Sequence, residues 1–484
     1  MQDGGRVARS GRSRRDTRRP PRAVALLTSC IALAVLAACS LGPRYHRPDI
    51  PPPPAWSGGA DAAAPEWPSS DWWRGFASGD LDEFIAQAQH ANDDLRAAVA
   101  RVHQADAQRR IAGAPLLPAL DAQASAQRAR APVNGEGLVT GNTFSPLLSA
   151  SYELDFWGKN RAAYNAAAAT ARASAYDRTT VELAVMAGVA TTYFQALELR
   201  DRLAIAEANL ANATKILQGL KLEQVAGTAT GLDVAQQETV VATVNATVPP
   251  LRQQLRQSID ALAILTGNTP ESVDVTHGSL DEISRPTVRP GLPSELLQRR
   301  PDVAEAEAQL IAANADIAQA RAAFFPSISL TASGGYASPQ LASLLRPANR
   351  VWSLGAGLTQ PIFHGGALLG QYRLSQGRYE ELLADYHKAV LSALANVEDS
   401  LAGVTHTADQ VERQQQAATQ AGRAYEFAQA QMRAGTINVL TLLNTETALF
   451  SARDALAQAK FAHLQAVVSL YQALGGGWQE GRQP

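Results

Sequence analysis

Cysteine, charge and long apolar runs are all scarce in this chain of 484 residues. Its two cysteines, Cys30 and Cys39, lie near the N-terminus, so the remaining chain can form neither a disulfide nor a thiolate metal site. The eight histidines are scattered, without the HExxH-type spacing of a zinc hydrolase. A formal charge of -2 offers no basic field for nucleic acid. Beyond residue 40 no apolar stretch approaches the about 20 residues of a membrane-spanning helix. There is no nucleophile motif, phosphate-binding loop or metal cluster, so the reading is a non-enzyme with no cofactor and no metal. What remains is a chain too long for one compact core, 18% charged and 6% aromatic, with alanine runs such as Ala166–Ala169 and Ala312–Ala313. That composition suits long helices packed close together.

The first forty residues have the order of a secretory signal. Residues 1–22 are rich in arginine and residues 23–38 are apolar. The apolar run closes on Leu36-Ala37-Ala38-Cys39, which looks like a bacterial lipobox. In such signals the chain is cut before the cysteine and the thiol is acylated. A diacylglycerol thioether plus an N-acyl chain supplies the two or more lipids needed for lasting anchorage. An ordinary signal with a cysteine at its end is the alternative. Ser40 is the kind of residue carried there by lipoproteins sorted to the outer membrane. The expected division is a signal over 1–38 and a lipidated N-terminal segment over 39–80.

The chain then repeats itself. Ala226-Gly227-Thr228 recurs 208 residues later as Ala434-Gly435-Thr436, and Glu238-Thr239 recurs at the same offset as Glu446-Thr447. Pro118 pairs likewise with Pro326, and Leu265 and Gly267 with Ala473 and Gly475. So constant an offset implies two copies of one unit, each reading as helix, two strands, long helix, turn, helix. Repeat 1 is placed at 81–268, a linker or equatorial segment at 269–300, repeat 2 at 301–475 and a C-terminal tail at 476–484.

The strands are expected at about 117–127 and 146–157, and at about 325–333 and 351–363. In each, apolar and polar residues alternate, as in Ile328, Leu330 and Ala332 against Ser327, Ser329, Thr331 and Ser333. A soluble sandwich would alternate in the same way. Two details favour a membrane barrel: a polar face that includes Asp121, Glu153 and Asp155, as a watery lumen permits, and strands near the about ten residues of a tilted span. Four strands cannot close a barrel, and an open sheet edge in lipid leaves N–H and C=O groups without partners. The protomer must share a barrel with copies of itself.

From Arg161 to Val225 there is no proline, enough for a helix of roughly 100 Å. Leu383, Val390, Val397, Val404, Val411, Ala418, Tyr425 and Met432 fall seven apart, as do Leu183, Ala190, Leu197, Ala204 and Ala211. A sustained seven-residue repeat is a coiled-coil signal. Each long helix ends at a glycine-threonine turn, near 227 and near 435, where glycine supplies a left-handed cap and threonine helps start the returning helix.

These residues resemble the TolC-like outer membrane factor family, in its lipoprotein branch. The resemblance is carried by Gly42-Pro43-Arg44-Tyr45-His46-Arg47-Pro48, Asp71-Trp72-Trp73 with Phe76, Leu292-Pro293-Ser294-Glu295-Leu296-Leu297-Gln298-Arg299-Arg300-Pro301-Asp302, and Leu474-Gly475-Gly476-Gly477-Trp478. It implies an α+β membrane protein: a homotrimer whose twelve-stranded transmembrane β-barrel, four strands per protomer, is continued by an α-helical coiled-coil tunnel across the periplasm. It implies an outer-membrane duct for small molecules, lipid-anchored through Cys39. Its implied partners are a periplasmic adaptor (membrane fusion) protein and an inner-membrane transporter of the resistance-nodulation-division (RND) type. An outlet for type I protein secretion and a periplasmic coiled-coil scaffold lipoprotein are the alternatives.

The resemblance also assigns sites. The adaptor would meet the helix tips at Val225, Ala226, Gly227, Thr228 and Leu232, and at Arg433, Ala434, Gly435 and Thr436. The periplasmic aperture maps to Thr441 and Asn444, which are neutral where relatives often carry carboxylates. The expectation is an aperture held by hydrogen bonds and packing, with conductance little dependent on pH. Asp233 and Glu446 are nearby carboxylates for which turn geometry and helix capping account equally well.

Overall fold

The computed structural model describes residues 42–57, 67–133, 137–288 and 293–479. Cys30, Cys39, the rest of the signal-like segment and Leu292 lie outside the described residues. The chain divides into two compact units.

The first unit comprises Met1–Pro43, Pro115–Ala162 and Ala318–Leu368. Its centre is a four-stranded sheet of β1 (Ala119–Val133), β2 (Gly137–Leu154), β3 (Ser327–Tyr336) and β4 (Arg350–Thr359), in sequence order and antiparallel throughout. The register sorts the two faces. One row across the sheet reads Leu120, Ala150, Ala332, Leu354; the next reads Asp121, Ser149, Ser333, Ser353. On the polar face, Ser125 and Ser145 approach to 2.7 Å between hydroxyls, and Ser333 and Ser353 to 2.8 Å, the same cross-strand pair in each hairpin.

The first hairpin runs further than its hydrophobic alternation indicates, to Val133 and back from Gly137. Past Ala126 and Phe144 the outward positions become Arg128, Arg130, Thr140 and Asn142, so the apolar signal stops while the ladder continues. At the other end β2 stops at Leu154, short of the expected 157, and Asp155 lies outside the strand. Its carboxylate accepts from the backbone N–H groups of Asn160 and Arg161 at 3.0 and 2.9 Å. It thereby satisfies donors that a helix start leaves without partners. Trp157 also leaves the ladder, its indole donating to the Pro326 carbonyl at 2.7 Å.

The second unit comprises Arg44–Ala114, Ala163–Ile317 and Leu369–Pro484. The helices of the chain are α1 (Gly79–Ala91), α2 (Asp93–Gly113), α3 (Lys159–Val225), α4 (Gly231–Leu265), α5 (Pro301–Ala322), α6 (Ala367–Arg433) and α7 (Val439–Ala473). A 3-10 turn at Trp72–Phe76 and one helical turn at Pro293–Leu296 precede α1 and α5. α3 and α6 each have 67 residues, and α4 and α7 each have 35. In both pairs the second helix begins 208 residues after the first. Among the described residues no helix is long and apolar enough to cross a membrane.

The expected heptads hold only in part. Val390, Val397, Val411, Ala418 and Tyr425 are buried on α6, but Leu382 replaces Leu383 in the core, while Val404 and Met432 are half-buried. On α3 the stripe passes through Leu183, Ala190 and Leu197 and then steps to Leu199, Ala206, Ala213 and Leu220; Ala204 and Ala211 are exposed. An α-helix drifts about 20° per heptad, so over a helix this long the buried stripe must either supercoil or step to the next row. Pro249 and Pro250 lie inside α4, which continues through them.

The motifs that carried the resemblance meet in the second unit. Trp72 stacks on Tyr471 with ring centroids 5.0 Å apart, and Phe76 packs on Phe194 at the same separation. Arg300 grips Asp302 through two nitrogens at 2.8 and 2.6 Å and donates to the Ala473 carbonyl at 2.8 Å, tying the start of α5 to the end of α7. Arg47 is held by Glu307 at 3.0 Å and donates to the Tyr386 hydroxyl at 3.2 Å, fixing the N-terminal segment on α5 and α6.

Candidate functional site

The helix tips are built alike. At the end of α3, Gly227 takes φ +78°, a left-handed conformation in which glycine alone avoids a Cβ penalty. The turn is closed by Thr228 N–H to Glu223 O at 2.9 Å and by the Thr228 hydroxyl to the same carbonyl at 3.1 Å. At the end of α6, Gly435 takes φ +70°, and Thr436 makes the same two bonds to Gln431 O at 3.0 and 3.1 Å. These bonds satisfy carbonyls that a helix end leaves open. The threonines therefore close the outgoing helices; the returning ones have their own caps. Thr230 caps α4 through a reciprocal box with Asp233, and Asn438 caps α7 by accepting from Thr441 N–H at 3.0 Å.

Val225, Ala226, Gly227, Thr228, Leu232, Arg433, Ala434, Gly435 and Thr436 are all exposed. Val225 shows 90% of its surface. Leu222, Phe427 and Leu440, not singled out from the sequence, are exposed within two turns of the tips and enlarge the apolar area. Their signal was available as large apolar side chains beside a glycine turn. Beneath the tips the two hairpins share one core, in which Leu220 and Val234 of the first pack with Val439 and Leu443 of the second. Both tips thus rest on one shared core.

Thr441 and Asn444 are exposed on the first turns of α7. The Thr441 hydroxyl donates to Asn438 Oδ1 at 2.8 Å, so it takes part in the cap. Asp233 is the capping carboxylate that turn geometry suggests, and hydrogen bonds from Thr230 hold it below the usual aspartate range. Glu446 is different, and capping does not account for it. It is 3% exposed, neither carboxylate oxygen has a hydrogen-bond partner, and burial raises its pKa to about 7. Its counterpart Glu238 is exposed and paired with Lys221 at 2.8 Å.

The second functional element is the sheet itself, with one apolar and one hydroxyl-rich face. In the order β1-β2-β3-β4 the free edges are β1 and β4, and they run in opposite directions. β4 can therefore pair antiparallel with β1 of another copy.

Comparison with known proteins agrees with this geometry. The sequence model for outer membrane efflux proteins matches residues 84–268 and again 292–476, two spans offset by 208 residues. The chain is 42% identical to the pyoverdine export outer membrane protein OpmQ of Pseudomonas aeruginosa, over 95% of this chain and 98% of that one. It is 33% identical to the toluene efflux pump outer membrane protein TtgC of Pseudomonas putida, over 94% of this chain and 96% of that one. Among solved structures, the outer-membrane channel OprN superposes with a TM-score of 0.85 at 29% identity, covering 91% of this chain and all of that one.

Proposed function

The chain belongs to the outer membrane efflux protein family, and from that premise we propose that three copies pool their sheets into one twelve-stranded barrel. It is the outer-membrane channel of a tripartite efflux pump. The single observation that carries the trimeric reading is the four-stranded sheet, apolar on one face, with two antiparallel edges left open. Such edges cannot stand in hydrocarbon, and closure with like copies removes them. An even number of strands per protomer keeps the barrel antiparallel all round.

The serine pairs and Asp121 then line the lumen, and the apolar rows face lipid. The helices of the three copies enclose a periplasmic duct. Cys39 carries the lipid anchor, and the duplicated unit gives each protomer two hairpin tips. Those tips, from Val225 to Leu232 and from Arg433 to Thr436, receive the hairpins of a periplasmic adaptor. The adaptor in turn joins an inner-membrane transporter of the RND type. The chain itself is a passive conduit, and the transporter supplies both energy and cargo. The names of the relatives, one exporting pyoverdine and another toluene, support small molecules as that cargo.

The test is to purify the mature protein and follow it in detergent and in planar bilayers. The expected result is a detergent-resistant trimer that migrates as a larger, slower species before boiling than after and opens discrete conductances. A monodisperse water-soluble monomer that makes no pore would overturn the proposal. In cells, the double substitution Val225→Asp/Leu232→Asp should restore drug sensitivity to the level of a deletion while trimer yield stays unchanged.

A further inference from the structure

The lipid-facing side of the sheet is not apolar from end to end. On β1 every second residue from Leu120 to Ala126 is apolar, and the next two on that face are Arg128 and Arg130. On β4 the run from Leu358 to Trp352 is followed by Arg350, which lies opposite Tyr336 of β3. The helix-joined ends of these strands are Ala119, Thr359 and Ser327. Counted from there, Arg128, Arg350 and Tyr336 each stand nine residues up. At about 3.3 Å per residue and a tilt of about 40°, nine residues climb roughly 23 Å, close to the about 25 Å height of an apolar barrel band. The arginines therefore begin where the hydrocarbon ends, at the level of the headgroups. The strand ends below them lead into helices, so this is the rim on the side away from the periplasm.

All three guanidinium groups are exposed. Their cross-strand neighbours are neutral: Asn142 for Arg128, Thr140 for Arg130 and Tyr336 for Arg350. The sheet's two described carboxylates, Asp121 and Glu153, lie on the opposite face near the helix-joined ends, and Glu153 is taken by Lys159 at 2.6 Å. Glu136, between β1 and β2 in the sequence, lies outside the described residues. Arg128 and Arg130 are two residues apart on one face, about 7 Å along the strand. The planar fork of arginine matches phosphate oxygens two at a time.

We propose that Arg128, Arg130 and Arg350 form a cationic girdle that binds the phosphates of anionic lipid headgroups around the outer rim of the barrel. The inference rests on the barrel reading above. If β4 pairs with β1 of the next copy, Arg350 of one protomer stands beside the β1 arginines of its neighbour, and three copies close the girdle.

The test uses the full-length lipidated trimer in phosphatidylcholine bilayers. These carry a few mole per cent of bis-phosphorylated lipid A, or the same lipid with its phosphates removed. Lipid retained after detergent extraction is counted by native mass spectrometry, and conductance is recorded in parallel. The wild type should retain the phosphorylated lipid roughly fivefold over the dephosphorylated one, as charge-assisted bidentate contacts require. The triple variant Arg128→Gln/Arg130→Gln/Arg350→Gln should lose that preference and keep its conductance. Arg413→Gln, an exposed arginine of α6, should behave as wild type. Equal retention of the two lipids by a conducting wild type overturns the girdle and leaves the barrel standing, as does a preference that survives in the triple variant. A wild type that neither inserts nor conducts overturns the barrel, and the girdle with it.

Discussion

Asn92 and Arg300 stand 208 residues apart and fasten the two halves of the chain by the same device with different chemistry. Each precedes a helix, α2 or α5, and donates to the last carbonyl of the helix that closes its own half: Asn92 Nδ2 to Leu265 O at 2.9 Å, Arg300 Nη1 to Ala473 O at 2.8 Å. Behind each carbonyl a left-handed glycine, Gly267 or Gly475, comes so close that an added Cβ would strike the carbonyl of Ala91 or Arg299. The neutral version satisfies itself, because Asn92 also caps α2 by accepting from Leu95 N–H at 3.0 Å. The charged version needs Asp302 to hold a guanidinium that is only 7% exposed. Breaking the two should separate them. Arg300→Ala leaves Asp302 and the buried Ala473 carbonyl without their partner and should destabilise the trimer by about 3 kcal/mol, read from its urea midpoint. Asn92→Ala removes a cap and one buried bond and should lower stability by about 2 kcal/mol. Equal losses would mean that the ion pair adds nothing to the shared geometry.

The tips part company in the opposite sense, for here the first half is charged and paired while the second is buried and alone. Glu238 meets Lys221, but the residue 208 after Lys221 is Gln429, so Glu446 has no cation to match. Tyr425 on α6 feels the Glu446 charge, and its own pKa rises from burial and from that charge. Burial lifts the Glu446 pKa from 4.5 to about 7. The folded chain then keeps a proton that the unfolded chain releases, so stability is full below about pH 4.5, falls through the interval and is lowest above 7. A shift of that size corresponds to about 3 kcal/mol. Glu446→Gln should therefore slow hydrogen exchange in the first turns of α7 at pH 8 and leave it unchanged at pH 4.5, after correction for intrinsic rates. Glu238→Gln should do neither. A flat response of the wild type between those pH values would show that Glu446 finds a partner in the trimer. Thr441 and Asn444 are neutral at every pH, so if they line the aperture, any pH dependence of opening should vanish in Glu446→Gln.

These contrasts also mark how far the sequence could be read. Element order and the two faces of the sheet were legible because period-two alternation and proline-free runs are local signals. The motifs of the resemblance were legible too, yet Arg299-Arg300-Pro301-Asp302 and Leu474-Gly475-Gly476-Gly477-Trp478 prove to be parts of one clamp that fastens α5 to α7. They identify the fold through its packing. What escaped was tertiary in origin. Asp155 reads as one more polar position on a strand until the N–H groups of α3 are placed above it. The outer part of the first hairpin lacks apolar alternation, because Arg128 and Arg130 stand where apolar residues would carry the pattern on. Glu446 copies Glu238 in sequence, and only its burial beside Tyr425 makes it a different kind of acid.

The glycines at the tips sharpen the comparison by cancelling it. Gly227 and Gly435 have positive φ, and an added Cβ at either would meet open space. Alanine in each place carries only the conformational penalty, about 1 kcal/mol, equal in the two halves. The two tips should loosen by the same amount in Gly227→Ala and Gly435→Ala, seen as matching increases in exchange at Thr228 and Thr436. A large difference would show that the tips rest on unequal supports.

The smallest effect belongs to the pair that looks most like an interaction. Lys221 and Glu238 approach to 2.8 Å, but each leaves about half its side chain in water, at 52% and 51% exposure. An ion pair so exposed is screened by salt, orders two long side chains and contributes about 0.5 kcal/mol or less. Lys221→Gln, which gives the first half the residue of the second, should hardly change hairpin exchange at low salt and leave it unaltered at high salt. If it instead weakened the first hairpin as much as ionised Glu446 weakens the second, the pair would have to be buried against a neighbouring protomer. The contrast between the halves would then be one of assembly, because a charge that is inexpensive in water becomes demanding once a second copy covers it.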